Sequence, residues 1–186
     1  ESALSVLARV DTMLEPQQRE AYGRVWQAAF GKQAHKLGLL ERANDSADER
    51  SMRAEWLSHY IALSADPALT AQAKALADQW LQDKASVPVI SRPLVLRAAA
   101  FQGDRAYFDA LIAAAVGNPD RRERADIYAA LAAFRAPELA QAARELWLSP
   151  AHDIRELMAA ARVRGRTEAL RQGMFTFVTT RFDAIK

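Results

Sequence analysis

Apolar residues recur along this chain every three or four positions, the spacing that places them on one face of a helix. In the predicted second helix this pattern would bury Tyr22, Val25, Trp26, Ala29 and Phe30. Residues with branched β-carbons, which favour strands, are few. The pattern predicts about ten helices of roughly 10–20 residues. They begin near residues 2, 16, 46, 66, 92, 104, 119, 137, 152 and 165.

Residues that cap or break helices stand at these predicted helix ends. Gly38 suits a left-handed cap at the end of the second helix. Ser46 followed by Glu49 matches a capping box at the start of the third. Asp66-Pro67 places a capping residue before a proline at the first helical position. The sequence therefore defines the helix ends as clearly as the helix interiors.

Short connections join the predicted helices, and short connections force neighbouring helices to run antiparallel. One connection, the Val-Pro-Val-Ile stretch 87–90, has strand-like composition, and we expect an extended corner there because proline disfavours helix in the residue before it. No strict motif of roughly 34 or 40 residues repeats, as it would in a regular tetratricopeptide or ankyrin array. We predict an all-α fold, an irregular α-solenoid of stacked antiparallel helices of the HEAT or armadillo type, with residues 1–186 as a single helical-repeat domain.

Composition excludes several classes of function. The formal net charge is +2, and charged residues form no long block of one sign, which argues against binding to nucleic acid or to an anionic membrane. No apolar run approaches the ~20 residues that span a bilayer, so we expect a soluble chain without a transmembrane segment. Cysteine is absent, which excludes disulfides and thiolate chemistry.

The first residues of the chain, 1–4, match neither an initiating methionine nor a signal peptide. We therefore expect an internal fragment of a longer protein. Abundant alanine, and arginine in excess over lysine, suggest a bacterial source with a GC-rich genome. Neither observation indicates a cellular compartment.

The chain carries no recognisable catalytic motif. Zinc hydrolases place two histidines one helical turn apart in H-E-x-x-H, so that both reach the metal. His35, His59 and His152 are far apart in sequence, and we interpret each as a surface or helix-end residue. Asp153 is explained by the preference of helix N-termini for negative charge. We predict no catalytic residue and no metal ligand within the chain.

The densest basic stretch and the tryptophans have structural interpretations. The basic stretch contains Arg162, Arg164, Arg166 and Arg171. We interpret it as a solvated face, because aromatic or polar side chains for base stacking and base contacts are not interleaved with it. The tryptophans fall on apolar stripes, which indicates packing between helices. They are Trp26, Trp56, Trp80 and Trp147.

Several short motifs follow one another from residue 37 onward, and their order and spacing are informative. They are Leu37-Gly38-Leu39, Met52-Arg53, the stretch 87–90, Gly103-Asp104 with Tyr107-Phe108, the stretch 121–124 leading into 130–132, the stretch 146–149, and Gly165-Arg166 leading to 175–177 and 182–185. In order and spacing they resemble the C-terminal helical domain of zinc aminopeptidases of the aminopeptidase N and puromycin-sensitive type, over about residues 16–186. That family commonly has tryptophan where this chain has Leu39, and favours tryptophan near Phe175 and Phe182.

The resemblance implies a role within a larger enzyme. In that family an upstream catalytic domain binds zinc through H-E-x-x-H and a downstream glutamate, and a G-x-M-E-N segment recognises the amino terminus of the substrate. This chain contains neither motif. The C-terminal domain is a bowl of helices that covers the active site and limits which peptides enter. The resemblance thus implies a non-catalytic part of a zinc aminopeptidase, with zinc bound outside this chain, and with its own catalytic domain and peptide substrates as partners.

Two hypotheses of other classes stay open. One is a stand-alone α-solenoid that binds a protein partner along its concave side. The other is a nucleic-acid-binding helical repeat, which the near-neutral charge disfavours. A stand-alone solenoid needs polar capping helices, whereas the last predicted helix exposes apolar residues over a wide arc. These residues are Met174, Phe175, Phe177 and Phe182.

The sequence assigns no residue to substrate binding. Arg92 and Arg135, at predicted helix corners, are candidates for attracting the carboxylate end of a peptide. The alternative for each is a hydrated arginine without a ligand.

Overall fold

The computed structural model describes Val10, residues 13–160 and residues 168–185, and every regular element among them is helical. The prediction of an all-α, irregular solenoid-like fold is therefore confirmed. The chain divides into two compact units, Glu1–Ala99 and Ala100–Lys186. The single domain over residues 1–186 stays a prediction.

The first unit is built on a long helix and a bent one. Its helices are α1 (Pro16–Leu37), α2 (Ala47–Met52), α3 (Ser58–Ser64), α4 (Pro67–Gln82) and α5 (Arg92–Ala100). A π-helical turn, Arg53–Leu57, joins α2 directly to α3. The predicted third helix is thus one continuous helical segment with a wider turn in its middle.

The helices α1 and α3 pack closely and antiparallel. A Cβ atom added to Gly23, near the start of α1, would lie 3.1 Å from the carbonyl oxygen of Ser64 at the end of α3. A Cβ added to Gly31, two turns later, would lie 3.3 Å from the hydroxyl of Tyr60. Residue numbers therefore rise along α1 as they fall along α3. Gly23 allows this close approach, because a side chain at its position would press on backbone, which cannot rotate away.

The second unit contains shorter helices. They are α6 (Arg105–Ala115), α7 (Arg121–Leu131), α8 (Pro137–Glu145), α9 (Ile154–Ala160), α10 (Glu168–Thr180) and α11 (Phe182–Ile185), with a 3-10 turn, Leu146–Leu148, after α8. Here α7 packs against α6 and α9, and α8 packs against α10. The ring of Phe108 meets that of Phe134 edge to face, with 5.2 Å between centroids. This aromatic pair contributes to the core of the unit.

Most predicted helix ends are confirmed. The predicted bounds of α1, Pro16 and Leu37, agree with the structure. In the capping box before α2, the backbone N–H of Glu49 donates to Ser46 Oγ (3.2 Å), and the backbone N–H of Ser46 donates to Glu49 Oε2 (2.8 Å). Asp66 caps α4 as predicted.

Two predicted ends differ from the structure. Gly38 has a positive φ of 67°, but its ψ of 168° is extended rather than left-handed helical. The extended corner predicted over 87–90 is wrong. The backbone N–H groups of Ser91 and Arg92 both donate to the carbonyl of Pro88 (2.9 and 3.0 Å), which closes a tight turn into α5. Proline fixes a φ that suits the start of a turn as well as an extended segment.

No helix in the described part of the chain combines the length and the apolar character that crossing a membrane requires.

Candidate functional site

Several buried polar groups lie where helices meet, and we call each such hydrogen-bonded cluster a joint. The first joint lies at the C-terminal end of α1. The Arg53 guanidinium donates through Nη2 to the carbonyl of Leu37 (3.0 Å) and through Nε to that of Gly38 (3.1 Å). Its Nη1 lies 2.7 Å from Asp45 Oδ2, and both side chains are only 5% exposed. Arg53 therefore supplies donors to carbonyls that a helix end leaves unsatisfied, and it neutralises a buried carboxylate.

This joint gives a physical reason for two motifs of the sequence. Leu37-Gly38-Leu39 and Met52-Arg53 are far apart in sequence but meet in one hydrogen-bonded cluster. The backbone N–H of Arg42 also donates to Asp45 (2.6 Å). That hydrogen bond, opposed by burial and assisted by the charge of Arg53, lowers the pKa of Asp45. Asp45 is therefore a stable anion at neutral pH.

A second joint centres on the Asp66 carboxylate, which accepts four hydrogen bonds. Its Oδ1 accepts from the backbone N–H groups of Ala68 (3.0 Å) and Leu69 (3.1 Å) at the start of α4. Its Oδ2 accepts from the Tyr60 hydroxyl (2.8 Å) and lies 3.0 Å from His35 Nε2. Asp66 thus connects α1, α3 and α4.

The ionisation of this joint follows from its contacts. Burial would raise the pKa of Asp66, but hydrogen bonds from Leu69, Tyr60 and His35 outweigh it and lower that pKa. Burial, together with the hydrogen bond to Asp66 and its charge, raises the pKa of Tyr60 to about 12. A histidine paired with a buried carboxylate also supplies two of the three members of a catalytic triad. Here all the contacts of Asp66 serve helix capping and packing, so we interpret the joint as structural.

A third joint links α7 to α9 in the second unit. Arg124 donates through Nε to Glu156 Oε2 (2.9 Å) and through Nη2 to Glu156 Oε1 (2.7 Å), a bidentate pair. The Tyr128 hydroxyl lies 3.1 Å from His152 Nδ1. Since bidentate arginine–carboxylate pairs fix geometry as well as charge, this joint sets how α9 lies on α7.

The three histidines occupy different environments. His35 and His59 lie on the surface, as predicted. His152 stands at a helix end, two residues before α9, but it is buried: it is 9% exposed and packs against the ring of Tyr128. Within the described ranges, no three His, Cys, Asp or Glu side chains are grouped as a metal ion would require. The assignment of no catalytic residue and no metal ligand stays a prediction.

The arginines predicted to meet a peptide are more buried than expected. Arg92 is only 4% exposed, so it is not a hydrated corner residue. Arg135 is half-buried, and the central carbon of its guanidinium lies 4.5 Å from the centroid of the Phe101 ring. The side chains of the basic cluster at 162, 164, 166 and 171 lie outside those that the structure describes.

The tryptophans pack between helices, as predicted. Trp26 and Trp80 are 2% and 0% exposed. Trp56 meets Phe30 of α1 edge to face, with 6.1 Å between centroids and 82° between planes. Trp147 meets Phe177 edge to face at 6.0 Å. None of these rings forms a cage for a ligand.

The last apolar helix is only partly exposed. Phe175 and Phe182 are 71% and 56% exposed, as predicted. Phe177 was predicted to be exposed, but it is 6% exposed because it packs on Trp147.

The sequence of this chain matches a known family of domains. The family model described as the ERAP1-like C-terminal domain matches residues 1–186, the whole chain. The chain therefore belongs to this family, the C-terminal helical domain of M1 aminopeptidases. No curated protein matches the chain significantly.

The family commonly has tryptophan at the position of Leu39, and the effect of that residue on this chain can be tested. Leu39 is 1% exposed, so replacing it by the larger tryptophan should overpack the core and lower the free energy of unfolding by about 1–3 kcal/mol. Phe175→Trp is the matched control. It lies on the surface and should change stability by less than about 0.5 kcal/mol. Urea unfolding followed by circular dichroism measures both. Equal stability of Leu39→Trp and the wild type would contradict close packing around Leu39.

Proposed function

We propose that this chain is the non-catalytic part of a zinc aminopeptidase, where it covers the active site of an upstream catalytic domain and limits which peptides enter. The observation that carries this proposal is the family match over all 186 residues. Membership of the C-terminal domain family of M1 aminopeptidases implies a catalytic domain upstream. The parent protein would remove amino-terminal residues from peptides.

The described residues support a role in shape rather than in chemistry. The buried or half-buried charged groups of the three joints, at Arg53, Asp66 and Arg124, are engaged in contacts that hold helix ends. Such joints keep a helical wall in one shape. A wall of fixed shape can select substrates by size, because a peptide that does not fit meets steric repulsion that the wall does not relieve.

Zinc would be held by the catalytic domain, whose H-E-x-x-H motif this chain does not contain. When bound, zinc would activate a water for attack on the scissile carbonyl.

The first test is aminopeptidase activity and zinc content, measured on this chain and on the full-length gene product. We expect an active, zinc-containing full-length protein and an inactive chain without zinc. A full-length product that neither binds zinc nor cleaves peptides would reject the aminopeptidase assignment. The hypothesis of a stand-alone scaffold would then take its place.

The covering role needs its own test, because activity alone does not show it. We expect inhibitory peptides of increasing length, bound to the full-length protein, to slow amide hydrogen exchange in the helices of this chain only above a certain length. The shortest peptides are the matched control, since they fill the catalytic site alone. If no peptide protects these helices at any length, the chain does not contact substrate and the covering role is wrong.

Within this proposal, Arg135 is the better of the two arginine candidates for a peptide carboxylate. Arg92 is buried, whereas Arg135 is only half-buried. Replacing Arg135 by glutamine in the full-length enzyme should weaken its discrimination between peptides of different length. An unchanged length preference would exclude this role for Arg135.

A further inference from the structure

A buried imidazole lies where α9 meets α7. His152 precedes α9 by two residues and is 9% exposed. Its ring meets that of Tyr128 on α7 edge to face, with 5.7 Å between centroids and 87° between planes. The Tyr128 hydroxyl lies 3.1 Å from Nδ1. A neutral imidazole with its proton on Nε2 accepts a hydrogen bond at Nδ1, so this arrangement suits the uncharged ring.

The charged groups around this imidazole already have partners. On α7, Arg124 is paired with Glu156 of α9, and Arg121 lies 3.5 Å from the same carboxylate. Beside the ring, Asp153 accepts hydrogen bonds from the backbone and the side chain of Arg155. The 3-10 turn Leu146–Leu148 also packs against α9 and contributes only apolar side chains. Neither neighbouring carboxylate is therefore free to compensate a positive charge on His152.

We propose that the contact of His152 with Tyr128 is a pH-sensitive joint, closed while the imidazole is neutral and opened, with α9 leaving α7, when the imidazole takes up a proton in mildly acidic solution. Burial lowers the pKa of His152 in the closed state, in agreement with this geometry. The proposal goes beyond the access-limiting role, since it requires neither a substrate nor a catalytic domain.

The direction of the effect follows from proton linkage. In the open state the imidazole has its ordinary pKa of about 6.5, whereas the closed state keeps it neutral to lower pH. Proton uptake therefore favours the open state as the pH falls below about 6.5. The opening equilibrium constant should rise about tenfold between pH 7.5 and 5.5, as long as the closed imidazole stays neutral. Above pH 7.5 the joint should be insensitive to pH.

The experiment is amide hydrogen exchange of residues 149–160 in the full-length protein, at pH 7.5 and 5.5, for the wild type and His152→Gln. Glutamine can accept the Tyr128 hydrogen bond but does not titrate. Comparing the two proteins at the same pH cancels the intrinsic pH dependence of exchange. We expect the ratio of wild-type to variant exchange rates to rise about tenfold between pH 7.5 and 5.5. An equal ratio at both pH values would overturn the proposal.

A control and a second measurement separate this effect from general acid unfolding. His59→Gln alters an exposed histidine of the first unit. The Nδ1 atom of His59 lies 2.8 Å from the carbonyl oxygen of Glu55 in the same helical segment. This substitution should leave the exchange of residues 149–160 as in the wild type. If His152→Gln does not fold, exchange at the imidazole Cε1 of the wild type gives its titration directly. Titration of His152 below the ordinary range supports the joint, and titration at or above about 6.5 overturns it.

Discussion

Replacing Phe108 by alanine is expected to lower the free energy of unfolding by about 3–5 kcal/mol. Phe108 is 1% exposed on α6. Its ring meets that of Phe134, which also lies 6.0 Å from the ring of Tyr107. The substitution removes a buried ring and an aromatic pair and leaves a cavity, and the surrounding helices can refill it only in part. Urea unfolding followed by circular dichroism measures the loss.

Phe175→Ala is the matched control for this substitution. Phe175 also lies on a helix, α10, but 71% of it is exposed. We expect a change of less than about 0.5 kcal/mol. Similar losses for Phe108→Ala and Phe175→Ala would contradict the core of the second unit as described, because burial is the main physical difference between the two positions.

Fold class and helix ends could be predicted because they depend on local chemistry. Prolines, capping side chains and apolar spacing act within a few residues, and these signals place α1 and α4 correctly. The buried face of α1 could not be predicted in the same way. Val25 is 62% exposed and Phe30 is 38% exposed, although their spacing predicts burial.

The buried face of α1 carries both of its glycines together with Trp26. Gly23 and Gly31 face α3, where any side chain would press on its atoms. A prediction from hydrophobic spacing does not count glycine as a buried residue. The predicted buried face of α1 is therefore rotated from the observed one by about one residue, roughly 100° around the helix axis. Positions where helices approach closely need small residues as well as apolar ones. Which positions these are depends on where the neighbouring helix lies.

The polar joints were harder to predict than the buried face of α1, because they connect residues that are distant in sequence. Arg53 lies four residues before Leu57 and seven before Tyr60, on the buried stripe of its helix. A charge at such a position indicates a buried ion pair, but not its partner. His152 gives no sequence signal of burial, since Tyr128 contacts it across 24 positions. These contacts depend on how the helices pack, which spacing along the chain does not determine.

Replacing Asp66 by alanine is expected to cost about 2–4 kcal/mol, more than the loss of an ordinary helix cap. A capping aspartate contributes about 0.5–2 kcal/mol, but Asp66 also accepts the hydrogen bond of Tyr60, whose side chain is fully buried. Alanine would leave that hydroxyl without its acceptor, at a cost of about 1–3 kcal/mol. Because the pKa of Asp66 is lowered by folding, this contribution is present at neutral pH and is lost as the pH falls below about 4.

Asp104→Ala and Tyr60→Phe separate the two parts of this cost. Asp104 caps α6 by accepting from the backbone N–H of Tyr107 (2.9 Å), so its replacement should show the cap alone, about 1 kcal/mol. In the Tyr60→Phe background the buried hydroxyl is gone, and Asp66→Ala should then cost no more than a cap. If Asp66→Ala costs the same in both backgrounds, the Tyr60 hydroxyl does not depend on Asp66, and the joint between α3 and α4 is a helix cap alone.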